Sequence, residues 1–171
     1  FYYVEIAPYD YDSEAQNEMS AYLREAQYKA QSLIPNSKMI STNDLAEPYE
    51  RFNIHPRRKA EVGQRLSYVA LNKTYGMKQI CCEGPTYNGD FTVEGNEVFL
   101  GFNNLDMGIC RNYQLEGFEV AGEDRIFHPA DSVWIRWQTN HAVVSSKKVP
   151  KPVAVRYCFR DFQIGNFIGG N

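Results

Sequence analysis

Residues 57–77 read Arg57-Arg58-Lys59-Ala60-Glu61-Val62-Gly63-Gln64-Arg65-Leu66-Ser67-Tyr68-Val69-Ala70-Leu71-Asn72-Lys73-Thr74-Tyr75-Gly76-Met77, and the hydrophobic period changes at their end. Val62, Leu66, Val69 and Ala70 recur at three- and four-residue steps, the spacing of one helical stripe. Gly76 is a stop signal for that helix, because glycine accepts the left-handed conformation that follows a helix C-terminus. At the other end stands Asn53-Ile54-His55-Pro56. Proline suits the first helical turn, where its missing amide has no intrahelical partner to lose. The spacing therefore predicts a helix over 57–75 with His55 at or near its N-cap.

Working upstream, residues 38–42 read as a short apolar strand. Residues 13–33 place Ala15, Met19, Tyr22, Leu23, Ala26, Ala30 and Leu33 at helical spacing, with Ser13 as a reasonable cap. Residues 1–7 form another apolar strand. The order βαβα predicts the back end of a parallel sheet. In open α/β sheets chemistry lies beyond the carboxyl ends of the strands, which is where Asp44 follows its strand.

Downstream of Met77 the period is two. Residues 90–94 and 97–102 flank Gly95-Asn96, a hairpin turn pair. Alternation returns over 118–121, 133–138, 142–145 and 153–159, which predicts an antiparallel β-sandwich. The expected organisation is one domain over 1–76 and a second over 77–171, packed without a proline-rich linker.

The 171 residues are 43% hydrophobic and 14% aromatic, a composition that builds a packed β-rich core rather than a disordered chain. Net charge is −3 and the pI is about 5.7; with lysine and arginine scattered, there is no electrostatic footprint for nucleic acid. No apolar run approaches the roughly 20 residues a spanning helix needs. Cys81, Cys82, Cys110 and Cys158 fit neither zinc-ribbon nor Cys-x-x-Cys spacing, so neither metal nor cofactor is expected and buried thiols are the reading, with a bridge to Cys110 or Cys158 left open. His128 and His141 lie among Phe127, Trp134, Trp137 and Tyr113. Exposed rings there would offer a sugar-stacking surface; but Trp134 and Trp137 are three apart, so on one strand they face opposite ways and at least one belongs to the core.

Histidine before a helix and aspartate after a strand are two members of a hydrolytic triad, the acid orienting the imidazole through its ring N–H. A capping histidine beside a turn aspartate is the structural alternative. Taken together, Leu23-Arg24-Glu25-Ala26-Gln27, Ile34-Pro35-Asn36, Asn43-Asp44-Leu45 and Ile54-His55-Pro56-Arg57-Arg58-Lys59 with Val62-Gly63 and Arg65-Leu66 resemble the bacterial sialate O-acetylesterases. Phe118-Glu119-Val120-Ala121-Gly122, Pro152-Val153-Ala154-Val155-Arg156-Tyr157 and Gly165-Asn166 resemble their later β-rich region.

That family belongs to the SGNH hydrolases. The resemblance implies an α/β fold, the C-terminal part of a flavodoxin-like parallel sheet followed by the sandwich. It carries the family's aspartate to Asp44 and its histidine to His55. It implies cleavage of O-acetyl esters of sialic acids in a secreted or periplasmic setting; acetylxylan and other acetylated polysaccharides, or a non-catalytic carbohydrate-binding module, are the alternatives. The family's Gly-Asp-Ser-like block does not occur in these residues, and Asn53 stands where some relatives have aspartate. The expectation is a C-terminal portion that partners an N-terminal remainder carrying the serine. A buried arginine–carboxylate pairing is expected of Arg24.

Overall fold

Among the described residues parallel pairing joins two strands of three residues each, β1 (Tyr2–Val4) and β2 (Lys38–Ile40), aligned Tyr2 to Lys38 and Val4 to Ile40. The structure, a computed structural model, describes residues 1–11, 18–105 and 114–169. Ser13, Ala15, Cys110 and Tyr113 lie outside the described residues. By contacts the chain divides into two units, Phe1–Cys82 with Cys158–Ile164, and Glu83–Tyr157 with Gly165–Asn171.

The expectation of an SGNH-type, flavodoxin-like parallel sheet followed by a sandwich is corrected here. Among the described residues the sheets are predominantly antiparallel, one of four strands and one of three, beside the single parallel pair. The physical reason lies in burial. A doubly wound parallel sheet is covered on both faces and its strands are buried throughout; here Tyr2, Tyr3 and Val4 are each only half-buried, and of β2 only Ile40 is buried.

Two helices accompany the pair, α1 (Met19–Leu33) and α2 (Lys59–Val69), the latter continuing into a wide turn over Ala70–Thr74. Gly76 follows at φ +72, the stop its sequence position predicts. The orientation of α1 reverses the hydrophobic reading: Met19 and Leu33 are 71% and 79% exposed, while Ser20 and Arg24 are buried. Beside Ala21, 2% exposed, the inward stripe is polar and hydrogen-bonds to its surroundings. Gln27 Oε1 accepts the Ile6 amide at 3.0 Å and Gln31 Oε1 accepts the Met39 amide at 2.9 Å. Further along, Ser20 donates its amide and hydroxyl to Asp161 Oδ1 at 2.7 and 2.8 Å.

Beside this stripe lies Glu5, buried, its Oε2 accepting the Thr42 amide at 2.8 Å. Burial pushes the Glu5 carboxyl above the ordinary glutamate range, against the opposing pull of that amide and of the Arg24 charge. The folded state thus holds this proton to higher pH than the unfolded chain, so the Glu5 contribution to stability falls as pH rises from the ordinary value through the raised one. Glu5→Gln keeps an acceptor for Thr42 and cannot ionise. Urea melts across that window should show the variant gaining on wild type as pH rises; a constant difference would contradict this account.

The second unit holds seven strands among the described residues: β3 (Thr86–Glu94), β4 (Glu97–Asn103), β5 (Phe118–Ala121), β6 (Phe127–Pro129), β7 (Ser132–Arg136), β8 (His141–Ser145) and β9 (Ala154–Tyr157). Gly95, at φ +65, opens the two-residue turn between Glu94 and Glu97, a position that wants glycine. The sheets run β3-β4-β8-β7 and β6-β5-β9. Val98 and Leu100 of β4, Ala142 and Val144 of β8, and Phe118 and Val120 of β5 meet in one buried cluster with Leu105, Leu115 and Phe167. Trp137, just past β7, packs against that cluster, whereas Trp134 is 42% exposed, so the two tryptophans divide between core and surface.

Candidate active site around His55

His55 is displayed on a loop whose ends are held by a buried carboxylate. The short turn Pro48–Glu50 is closed reciprocally: the Glu50 amide donates to Glu47 O at 2.8 Å and the Glu47 amide to Glu50 Oε2 at 2.9 Å, a capping box with proline in its first turn. Glu50 is 1% exposed, and its second oxygen accepts the Arg57 amide at 2.9 Å. One side chain therefore joins both ends of the segment 50–57. Within it, Asn53 Oδ1 accepts the His55 amide at 3.0 Å, an Asx turn that fixes the backbone under the imidazole.

The helix starts later than the proline suggests. Arg58 occupies the N-cap position and α2 begins at Lys59. Pro56 and His55 thus precede the helix rather than opening it, since Glu50 claims the Arg57 amide. His55 is exposed, and its ring makes no hydrogen bond or ion pair among the described residues. Around it Tyr49, Phe52 and Ile54 are exposed as well. Arg51 lies 5.4 Å over the Phe52 ring and Arg57 lies 5.6 Å over Tyr49. Arg51 is fixed in turn by Asp10, Nε to Oδ2 at 2.6 Å.

Asp44 has a different partner from the one its sequence position suggests. Arg65 of α2 grips it with both terminal nitrogens, Nη1 donating to Oδ1 at 2.8 Å and Nη2 to Oδ2. Arg65 also donates to Ser41 O at 2.9 Å, and Arg58 Nη1 donates to Asp44 O at 3.1 Å. Arg58 at the N-cap and Arg65 on α2 therefore bind the segment that follows β2. The structure brings Asp44 to Arg65 and does not join it to His55 by a hydrogen bond. Sequence reasoning overlooked Glu50 and quoted Arg65 only within the resemblance, with no role assigned to it. The signal for the first was Glu47-Pro48-Tyr49-Glu50, a capping-box spacing with proline at its start.

Because the pair is largely buried, with side-chain exposures of 9% for Asp44 and 17% for Arg65, it should be sensitive to loss of charge. Asp44→Asn keeps one acceptor but leaves the guanidinium without its counter-charge. A loss of about 1–3 kcal/mol in urea-melt stability is expected; an unchanged midpoint would contradict the pairing. No group of histidine, cysteine and carboxylate side chains suited to hold a metal ion occurs among the described residues. No helix among the described residues is long and apolar enough to cross a membrane.

No family model and no curated protein matches the chain. Among solved structures, a carbohydrate acetylesterase from Xanthomonas citri superimposes with a TM-score of 0.84 at 29% sequence identity. The alignment covers 99% of this chain and 38% of that one. Over almost its whole length, then, the chain is similar to part of a carbohydrate esterase, and it spans well under half the length of that enzyme.

Proposed function

We propose that this chain is part of a carbohydrate O-acetylesterase and that His55 is its general base. The likeness to a carbohydrate acetylesterase over 99% of the chain carries the reading. In the proposed reaction the imidazole takes the proton of a serine hydroxyl supplied by another part of the protein as its oxygen attacks the acetyl carbonyl. The tetrahedral intermediate collapses, and the imidazolium returns the proton to the departing sugar oxygen. Water then cleaves the acetyl-serine by the same steps in reverse roles, releasing acetate.

Asp44 enters this scheme as a positioning residue. Through Arg65 and Arg58 it ties the end of β2 to α2, and the loop that presents His55 runs between those two elements. In this reading the exposed imidazole, which makes no hydrogen bond or ion pair among the described residues, takes the proton of the serine that another part of the protein brings to it.

The substrate proposed is an O-acetylated sialic acid. Arg57 and Lys59, both exposed and close to His55 in sequence, offer cationic groups to its carboxylate. Acetate release from O-acetylated sialic acid and from acetylated xylan, measured on the polypeptide that also carries the serine, tests the reading. Release from the sialic acid is expected. Release from xylan alone would overturn the sugar assignment, and no release from either would overturn the hydrolytic one.

A further inference from the structure

Strand register builds an ordered surface on the side of the four-stranded sheet that faces away from its core. Thr92, Phe99, Val143 and Trp134 stand opposite one another across β3, β4, β8 and β7, forming one row. The next row along is Gly101, His141 and Arg136. On the other side of the apolar row come Glu94 and Glu97, followed by Ser145 and Ser132. Residues directly opposite in a sheet share a face, so an apolar row lies between two polar ones.

The polar row is completed by a feature specific to its position. The ladder between β3 and β4 slips between Tyr87 and Phe91, a bulge that re-aims Asp90. Asp90 Oδ2 then meets His141 Nε2 at 2.9 Å, two strands away. Gly101 on the intervening strand permits this crossing. A Cβ there would stand 2.6 Å from Asn88 Oδ1 and 2.8 Å from Asp90 Cβ, so any other residue would displace the bulged part of β3. Arg136 lies 5.4 Å over the Phe99 ring, leaving Trp134 as the exposed ring of the face.

We propose that this face binds neutral pyranose sugars, with Trp134 stacking on the apolar side of a ring and Arg136 and Asp90 bonding its hydroxyls, while His141, whose Nε2 meets Asp90 and whose Nδ1 is buried, holds that carboxylate in place. The inference rests on the carbohydrate reading above and extends it to a separate surface. Phe99 and Val143 of the apolar row are buried, 7% and 1% exposed, so the row presents the Trp134 indole; a pyranose has one carbon–hydrogen face and a rim of hydroxyls, which an exposed ring beside polar side chains matches. Charge selects among sugars. Among the residues of these rows three carboxylates, Asp90, Glu94 and Glu97, accompany one arginine, Arg136, so sialic and uronic acids are repelled and uncharged sugars are not.

Titration of the protein with neutral hexasaccharides of xylose, glucose, mannose and galactose, followed by tryptophan fluorescence and calorimetry, tests this. Saturable binding to at least one of them is expected. Trp134→Ala should weaken it about tenfold, the scale of one stacked ring, and Trp134→Tyr should restore most of the loss. Polysialic acid should bind at least tenfold more weakly. Binding to none of the neutral sugars, an affinity unchanged in Trp134→Ala, or a preference for polysialic acid would each overturn the proposal. Acetate release from a small acetylated monosaccharide should be unchanged in Trp134→Ala, so failure of this surface and failure of the hydrolytic reading give different results.

Discussion

His55→Ala should lower acetate release by about 10²–10⁴-fold, the contribution of a positioned general base, while leaving stability within about 0.5 kcal/mol of wild type. Both halves of this expectation come from the same observation. The ring is exposed and makes no hydrogen bond or ion pair among the described residues, so its removal takes nothing from the fold. The loop that presents it is held by the Glu50 carboxylate, the Asn53 side chain and backbone amides, none of which involve the imidazole. A histidine that served only its own loop would show the opposite pattern, with stability reduced and turnover retained. Parallel activity and urea-melt measurements separate the two.

Arg24→Ala should have the largest effect on stability, a loss of about 3–5 kcal/mol. Arg24 is 4% exposed and donates to Ser20 Oγ at 2.9 Å, to Cys158 O at 3.2 Å and to Arg160 O. Deleting it removes a donor from two carbonyl oxygens and the cation that faces Asp161, whose Oδ2 has no hydrogen-bond partner among the described residues. Glu5 would lose the same compensating charge. Arg24→Lys should recover only part of the loss, because an ammonium cannot span several acceptors as a guanidinium does. Equilibrium denaturation of both variants checks this; a loss below about 1 kcal/mol in the alanine variant would contradict the arrangement. The expected arginine–carboxylate pairing is realised through carbonyls and a bridging serine rather than by direct contact.

What the sequence made legible was local. The stripe of Val62, Leu66 and Val69 and the stop at Gly76 marked α2 and its continuation, and Gly95-Asn96 marked the β3–β4 hairpin. These features depend on period and turn chemistry, which neighbouring residues determine. The buried side of α1 was not legible, because counting apolar residues finds Met19, Tyr22 and Leu33, while docking uses Ser20, Arg24, Gln27 and Gln31 to satisfy backbone amides and carbonyls. Sheet type was misread for a related reason. A βαβα order is compatible with a long parallel sheet, whereas the described residues pair only β1 with β2, two partly buried strands of three residues. At the candidate site, His55 and Asp44 were visible as residue types. The partner of Asp44 was not, since Arg65 reaches it across 21 positions of sequence through the packing of α2. Nor was the bulge that carries Asp90 to His141, which only strand register reveals.

The central claim is acyl transfer to a serine activated by His55, and covalent labelling tests it most directly. Treating the polypeptide that carries both groups with a fluorophosphonate, and locating the adduct by mass spectrometry, reads the activated nucleophile itself. The account predicts one modified serine, with labelling slowed at least a hundredfold in His55→Ala, the lower end of a general-base contribution. Labelling that proceeds at the wild-type rate without His55, or no serine adduct in the wild type, would contradict it.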